Sequence, residues 1–124
     1  MRIAITGTGN VGSAIARGLS GKAHDVTLGA RRPDTPELAA LATETGARIA
    51  TQSEAAETAE LIVLALPWGA AEEAIKALGD VTGKIVIDCT NPLGMVDGAL
   101  GLLVGHETSG GEIVQGWLPG ARVV

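Results

Sequence analysis

The sequence predicts an α/β fold, an open parallel sheet that is doubly wound with helices on both faces. Apolar runs typical of buried strands alternate with segments of helical spacing, which is the pattern of repeated strand–helix–strand units. Phe and Tyr are absent and Trp occurs twice, so the core has to consist of Val, Ile, Leu and Ala, which suits parallel strands buried on both faces. At 124 residues, we interpret 1–124 as one domain. We expect about six strands in the order 3-2-1-4-5-6, joined by right-handed crossovers.

Each element of the first half has a local signal. The first helix carries Ile15 and Leu19 on one face. The second helix opens with Thr35 as N-cap and Pro36 at the first helical position, and Gly46 closes it. The predicted strands of this half are residues 2–6, 25–29 and 47–50, the third towards a sheet edge, and the helices are residues 13–20, a helix opening at 35–37 and a short helix capped by Thr51 or Ser53.

The second half contains the most apolar strand, residues 61–66, which stops at Pro67. A helix over about 69–78 follows, and residues 84–89 form the fifth strand. Residues 95–106 are rich in glycine and apolar side chains without a clear period, and we interpret them as an ordered loop. A capping box formed by Ser109 and Glu112 predicts a further helix that reaches Trp117 or Leu118. Residues 122–124 begin a sixth strand, which has to pair along a sheet edge.

The first functional signal is the loop Gly7-Thr8-Gly9-Asn10-Val11-Gly12. A strand, Gly-x-Gly-x-x-Gly and a helix, in this order, hold the pyrophosphate of a dinucleotide in the Rossmann fold. Gly7 permits the tight turn, Gly9 lets the phosphates approach the backbone, and Gly12 lets the helix pack against the strand. The free N–H groups and the dipole of the helix start then favour the anion. With 18 glycines in the chain, the spacing alone is weak, so the flanking strand and helix decide the prediction.

The second signal lies at the end of the second strand, which reads Gly29-Ala30-Arg31-Arg32. An NAD site usually places Asp or Glu here, to bind the ribose 2′-hydroxyl. Two guanidiniums instead attract a 2′-phosphate, so we predict that NADP(H) binds with its phosphate at Arg31 and Arg32, next to Ala30. The alternative is that both arginines are solvated and paired with Asp34 or Glu37. The missing acid also argues against a methyltransferase, the main rival class of enzyme.

The third signal is a pair of short segments that follow the fourth and fifth strands, Leu66-Pro67-Trp68 and Asn91-Pro92. The cofactor lies across the carboxyl ends of the strands, so we expect these segments to meet its nicotinamide half. The indole of Trp68 is predicted to pack on the nicotinamide or a second planar ring, or else to cover the start of a helix. Asn91 either donates a hydrogen bond to the nicotinamide ribose or starts a turn before proline.

Composition argues against several other functions. The net charge of −5 gives no sign of a general nucleic-acid surface. The single cysteine, Cys89, allows neither an internal disulfide nor a cysteine metal cluster, and no His, Cys or acidic residues recur at metal-ligand spacing. The longest apolar stretch, residues 61–71, is too short to span a bilayer, and the N-terminus leads into a strand, not a signal peptide. We therefore expect a cytoplasmic protein with no metal, membrane or nucleic-acid partner.

Four polar residues are weaker candidates for function. His24 is expected at the surface, at the sheet end opposite the site. His106 is either a proton-transfer group or a structural residue near a helix start. Asp88 is interpreted as a satisfied core acid and Cys89 as a small core residue. No Ser or Cys has the setting of a nucleophile, and no catalytic residue is predicted.

Several stretches together resemble the coenzyme F420-dependent NADP oxidoreductase family, and they cover nearly the whole chain in order. They are Ile5-Thr6-Gly7-Thr8-Gly9-Asn10-Val11-Gly12, Leu28-Gly29-Ala30-Arg31-Arg32, Leu66-Pro67-Trp68, Asp88-Cys89-Thr90-Asn91-Pro92-Leu93-Gly94 and Thr108-Ser109-Gly110-Gly111-Glu112. The resemblance implies hydride transfer between NADP and reduced F420, a deazaflavin, or a flavin as in related metalloreductase domains. It also implies that Thr8 and Arg31 bind the 2′-phosphate and that Pro67 and Trp68 line the nicotinamide side.

Two departures from the family limit what the resemblance implies. Some relatives carry Ser where this chain has Ala30. Alanine removes one hydrogen bond to the phosphate, and Arg32 can compensate for this loss. Relatives also continue beyond the sixth strand, with a C-terminal part that helps form the deazaflavin pocket and the dimer. The resemblance therefore covers their N-terminal Rossmann domain, and the chain is interpreted as a truncated product or a stand-alone module.

Two functions remain open on the sequence. The first is an oxidoreductase domain that transfers hydride between NADP(H) and a small-molecule acceptor, F420 or a flavin, which needs no protein nucleophile. The second is a non-catalytic NADP(H)-binding module or a fragment without an acceptor site. The apolar segment 98–104 is either part of the acceptor wall or a contact covered by a homodimer partner or by the missing region.

Overall fold

A computed structural model describes residues 1–90, 93–96, 99–102 and 110–124, and side chains within 1–90 and 112–124. The strands in these residues are β1 (Arg2–Thr6), β2 (Asp25–Ala30), β3 (Arg48–Thr51), β4 (Leu61–Leu64), β5 (Ile85–Asp88), β6 (Leu93–Val96), β7 (Ala99–Leu102) and β8 (Arg122–Val123). The helices are α1 (Asn10–Leu19), α2 (Pro36–Thr45), α3 (Gln52–Thr58), α4 (Trp68–Lys76) and α5 (Gly110–Trp117). No helix in the described part of the chain is long and apolar enough to cross a membrane.

Six strands form one parallel sheet in the order β3-β2-β1-β4-β5-β8. The predicted order is confirmed, with β8 as the sixth strand and β3 at an edge. In the central strands Thr6 lies opposite Gly29 and Leu64, and Leu64 lies opposite Asp88. The carboxyl ends of the central strands therefore meet at one edge of the sheet, where the loops that follow them converge.

Both faces of the sheet are buried, because side chains of a strand alternate between its two faces. On one face Ala4, Ile62 and Val86 pack in a cluster with residues of α3, α4 and α5. On the other face Ile5 and Leu28 pack with residues of α1 and α2. Both clusters consist of aliphatic residues with tryptophans only at the rim, as the composition predicts. The sheet is thus covered on both sides, and its loops are left at the edges.

The helix after the glycine loop begins at Asn10, so the predicted start at Ser13 is wrong. The N–H of Ser13 already donates to the carbonyl of Gly9 at 2.9 Å, which closes the first helical hydrogen bond. Gly12 lies inside the first turn although glycine has a low helix propensity. The helix packs so closely at this position that there is no space for a side chain. The second half of the glycine loop is therefore the start of α1.

The predicted fourth strand is also two residues too long, since β4 ends at Leu64. The N–H of Ala65 donates to the carbonyl of Thr6 at 2.9 Å, and this is the last bond to β1. The next residue of the neighbouring strand, Gly7, turns out of the sheet with φ +90°. Ala65 and Leu66 therefore lose their pairing partner and are free to line a cleft.

Helix caps follow the predictions in part. Thr51 accepts a hydrogen bond from the Glu54 N–H at 3.2 Å on its hydroxyl, and Gly46 ends α2 in the left-handed conformation. Thr35 lies at the N-cap of α2, but its side chain makes no capping hydrogen bond. Ser109, the predicted cap of the last helix, lies outside the described residues, and α5 begins at Gly110.

The prediction of an ordered loop over residues 95–106 is wrong where the structure describes it. β6 and β7 form a separate antiparallel pair, with Leu93 opposite Leu102 and Val96 opposite Ala99. Strands this short and rich in glycine show no clear alternation. A signal was nevertheless present, because the two residues between the strands in the sequence are Asp97 and Gly98, and Asp-Gly is a strong hairpin signal. Residues 103–106 lie outside the described residues.

A side-chain clip joins α5 to the short edge strand β8. The Gln115 amide donates to the carbonyls of Leu118 at 2.8 Å and Ala121 at 2.9 Å. Its oxygen accepts the N–H of Val123 at 3.1 Å. Because β8 pairs with β5 through only two residues, this clip fixes the strand and the end of the helix together.

We expect the substitution Gln115→Ala to lower the free energy of unfolding by about 1–3 kcal/mol, because three partly buried backbone groups lose their partner. Urea unfolding measures the change. Gly116→Ala is the control: the position is exposed, an added Cβ meets no atom within 4 Å, and alanine favours the helix. An unchanged midpoint for Gln115→Ala would contradict the role of the clip.

Candidate functional site

The glycine loop is built around two places where a side chain cannot fit. A Cβ added at Gly7, which has φ +90°, would lie 2.3 Å from the Ala65 carbonyl oxygen. A Cβ at Gly12 would lie 1.9 Å from the Gly7 carbonyl oxygen. The Ser13 hydroxyl donates to the Thr8 carbonyl at 2.9 Å. The turn from β1 into α1 is therefore tight. The glycines pack against the backbone of the loop itself and against the backbone that follows β4.

Gly9 differs from these two glycines, because a Cβ there would meet no atom within 4 Å. It is the N-cap of α1 and is exposed. No side chain caps this helix, and its first turn contains no acidic residue. The first N–H groups of a helix have no partner within it, so this end of α1 presents hydrogen-bond donors and positive potential to an anion.

A cleft of about 340 Å³ lies beside this helix end, within the usual size range of ligand pockets. It brings together two of the predicted segments, the glycine loop and the end of β4. The lining residues are Gly7, Thr8, Gly9, Asn10, Val11, Ala65, Leu66, Pro67, Trp68 and Cys89. None of these lining residues is acidic, so the described part of the chain places no carboxylate in the cleft wall that would repel an anionic ligand.

Trp68 lies where the cleft and the start of α4 meet, and its predicted packing on a nicotinamide stays a prediction. It lines the cleft, and as the first residue of α4 it also covers the start of that helix. Its ring stacks on Trp117 of α5, with the ring centroids 5.5 Å apart and the planes at 28°. The contact with Trp117 was missed from the sequence, because nothing local relates the two helices.

A second cavity, of about 250 Å³, lies on the other side of Leu66. The residues that line it are Arg31, Gln52, Leu66, Ala70, Glu73, Ala74 and Ala77. Leu66 lines both cavities, which are therefore neighbours. The contributions of α3 and α4 were missed, although alanines at positions 70, 74 and 77 have the spacing of one helix face, and such small side chains leave room beside a helix.

Arg31 and Arg32 are exposed and directly follow β2. Within the described residues neither guanidinium lies within 4.0 Å of a carboxylate oxygen, unlike the arginines at positions 2, 17 and 48. The alternative in which they pair with Asp34 or Glu37 is therefore not the arrangement in the structure. Arg31 therefore places a positive charge in the wall of the second cavity, and Arg32 follows it in the sequence.

The end of β5 carries a local hydrogen-bonded turn. Asp88 accepts hydrogen bonds from the Thr90 N–H at 2.8 Å and from the Thr90 hydroxyl, which agrees with its interpretation as a satisfied acid. Cys89 packs partly against the core, but it also lines the cleft, so its interpretation as a core residue alone is wrong. Burial, and after it the charge of Asp88, raises the pKa of the Cys89 thiol. The thiol is therefore uncharged at neutral pH.

Some predicted residues lie outside the part of the chain that the structure describes. They are Asn91, Pro92 and His106, and their predicted roles stay predictions. His24 is exposed and follows α1 at the amino edge of the sheet, as expected.

Comparison with known proteins relates the chain to a family. Residues 2–92 match the family model described as NADP oxidoreductase, coenzyme F420-dependent. A candidate F420-dependent NADP reductase from Arthrobacter sp. FB24 is similar at TM-score 0.88 and 33% identity, over 99% of this chain and 60% of that chain. A hypothetical protein from Sinorhizobium meliloti is similar at TM-score 0.81 and 25% identity, over 99% and 59% of the two chains.

More distant structures share the fold. A pyrroline-5-carboxylate reductase from Coxiella burnetii is similar at TM-score 0.74 and 18% identity, over 98% of this chain and 42% of that chain. At this identity the likeness extends to the fold alone. The chain spans about 60% of the length of the Arthrobacter and Sinorhizobium proteins, so activities of the longer proteins do not transfer to it without a test.

Substitutions in the glycine loop test its packing. Gly12→Ala places a Cβ 1.9 Å from a carbonyl oxygen, so we expect the free energy of unfolding to fall by about 1–3 kcal/mol or more. Gly18→Ala in the same helix is the matched control, because its Cβ meets no atom within 4 Å and alanine favours a helix interior, so stability should stay the same or rise. Chemical denaturation of both variants decides, and equal stabilities would contradict the tight turn.

Proposed function

The chain belongs to the coenzyme F420-dependent NADP oxidoreductase family, and we propose that it binds NADP(H) and supports hydride transfer to or from a deazaflavin or flavin acceptor. One observation carries the proposal. Two neighbouring cavities share Leu66 as a lining residue. One contains Arg31, which has no ion pair among the described residues, and the other contains the start of α1 and the indole of Trp68. This succession of cation, helix start and apolar wall suits the phosphate, pyrophosphate and nicotinamide of NADP.

The adenosine half is proposed to lie in the cavity between Arg31 and α4. Its walls combine the Arg31 guanidinium, the Gln52 side chain, the Glu73 carboxylate and several alanines. The small alanine side chains leave space for a planar base beside the helix. Arg31 and Arg32 then bind the 2′-phosphate by charge-assisted hydrogen bonds, and the resemblance implies that Thr8 contributes to the same phosphate. A carboxylate at this strand end would favour NAD, and this chain has none there.

The pyrophosphate is proposed to lie against Gly9 and the start of α1. The space beside Gly9 is open, so a phosphate can approach the backbone without displacing a side chain. The N–H groups of Asn10, Val11 and Gly12 begin the helix, and at a helix start such groups bind anions. A cofactor with a diphosphate thus fits the residues that are present.

The nicotinamide is proposed to lie between the glycine loop and the Leu66-Pro67-Trp68 segment, with Asn91 and Pro92 as predicted further contacts. When bound, the nicotinamide supplies the hydride. The chain's residues then orient the ring and exclude water, which needs no protein nucleophile. Leu66, Pro67 and Trp68 provide apolar surface, and the uncharged thiol of Cys89 adds no repelling anion.

The alternative function is a module that binds NADP(H) without turnover. It requires the same cofactor site, so binding alone does not distinguish the two functions. They differ in whether a redox acceptor is held close to the nicotinamide. The acceptor, and a homodimer that would help to cover its site, belong to the proposal as expectations from the family resemblance.

The charge at the 2′-phosphate subsite is tested by Arg31→Ala and Arg32→Ala. We expect each to raise the Kd for NADPH about 10-fold or more, the strength of a lost charge-assisted hydrogen bond, and that for NADH less than about 3-fold. Isothermal titration calorimetry with both cofactors measures the effect. Arg122→Ala is the matched control. This exposed arginine lies at the start of β8 and pairs with the start of β5, away from the strand ends that form the proposed site. Equal weakening of both cofactors would overturn the subsite.

Turnover is tested with the protein, NADPH and either F420 or a flavin, with the absorbance of each reactant followed over time. We expect NADPH oxidation to match acceptor reduction one for one. A reaction without protein is the control for direct transfer. If no acceptor is reduced at concentrations where NADPH binds, the hydride-transfer proposal fails and the binding module remains.

A further inference from the structure

The two tryptophans of the chain form a single stacked pair at the rim of the cleft. The centroid distance of 5.5 Å and the angle of 28° lie in the range of offset-stacked aromatic rings. Trp68 lines the cleft, whereas Trp117 is not among the lining residues. Trp117 therefore touches the cleft only through the ring of Trp68.

Trp117 belongs to a firmly anchored helix. Val114 and Leu118, on either side of it in the sequence, are buried in the core. The side chain of Gln115 ties the end of α5 to β8 through three backbone hydrogen bonds. The rotation of α5 about its axis is thus set by contacts on two sides, and the ring of Trp117 is held by the core on which it packs.

Trp68 also packs against this core cluster, but it borders the cleft as well. It is the first residue of α4, its side chain is half-buried, and no hydrogen bond to its indole is present among the described residues. The ring plane is therefore determined by packing, and the flat surface of Trp117 is the aromatic contact that can fix it. An indole that is fixed before the ligand binds loses less entropy on binding.

We propose that Trp117 is a positioning residue for the cofactor site, which holds the Trp68 indole as a flat wall for the nicotinamide half. This assignment rests on the proposed function. It extends the site to α5, a helix that does not line the cleft. It also makes the nicotinamide side, but not the adenosine side, sensitive to a residue outside both cavities.

Two substitutions separate stacking from mere volume. Trp117→Leu keeps an apolar side chain but removes the aromatic plane, and Trp117→Phe keeps a plane. Gly116→Ala is the control on the same helix, since its added Cβ meets no atom within 4 Å. Each variant is titrated by calorimetry with NADPH and with adenosine 2′,5′-bisphosphate, which has the adenosine half and the 2′-phosphate but no nicotinamide.

We expect Trp117→Leu to raise the Kd for NADPH about 3- to 10-fold, the range of an aromatic pair, and to leave that for adenosine 2′,5′-bisphosphate within about 2-fold. Trp117→Phe should restore most of the NADPH affinity. The paired indoles should also give an exciton band in the circular dichroism spectrum of the wild type that both Trp117 variants lose.

The outcomes distinguish the positioning role of Trp117 from the proposed cofactor site itself. If the wild type binds adenosine 2′,5′-bisphosphate and NADPH and Trp117→Leu weakens both equally, or neither, the positioning role is overturned while the cofactor site stands. If Trp117→Phe is as weak as Trp117→Leu, the aromatic plane is not what matters and the assignment fails. If the wild type binds neither ligand, the proposed function itself fails and the assignment with it.

Discussion

The close approach of Gly12 to the carbonyl oxygen of Gly7 is the constraint on which the site depends. There is no room for even a methyl group between them, so α1 starts directly at the end of β1. A bulkier residue would push the helix away from the sheet, and its first N–H groups would no longer face the cleft. The same turn removes Gly7 from the sheet, which ends the pairing of β4 and frees Ala65 and Leu66 for the cavity walls.

The aliphatic core allows the helices to pack closely on the sheet. Alanines on the inner strands and helices, such as Ala4, Ala16 and Ala71, are fully or almost fully buried, and they let helices approach both faces of the sheet closely. The parallel register then brings the ends of β1, β2, β4 and β5 to one edge. The functional segments are therefore neighbours in space because strand ends are aligned, although they are far apart in the sequence.

The sequence predicted the parts of the site that depend on local chemistry. Gly7 and Gly12 need backbone freedom or close contact, and the positive charges of Arg31 and Arg32 follow a strand end, so each signal is readable from a few neighbouring residues. The tertiary contributions of Gln52, Cys89 and the alanine face of α4 were not predicted, because lining a cavity depends on the distance between elements that packing alone sets. The hairpin of β6 and β7 was missed although Asp97-Gly98 signalled it.

By itself, therefore, the sequence determined the strand order, the two-sided aliphatic core and the tight glycine turn into α1, since periodicity and glycine spacing encode them directly. Only the tertiary structure decided that Arg31 and Arg32 form no ion pair with a described residue, because ion pairing depends on side-chain distances across loops. The tertiary structure also decided that the Trp68 ring stacks on the Trp117 ring. The two tryptophans, residues 68 and 117, are 49 positions apart in the sequence. Only the packing of α4 and α5 on the same face of the sheet brings their rings together.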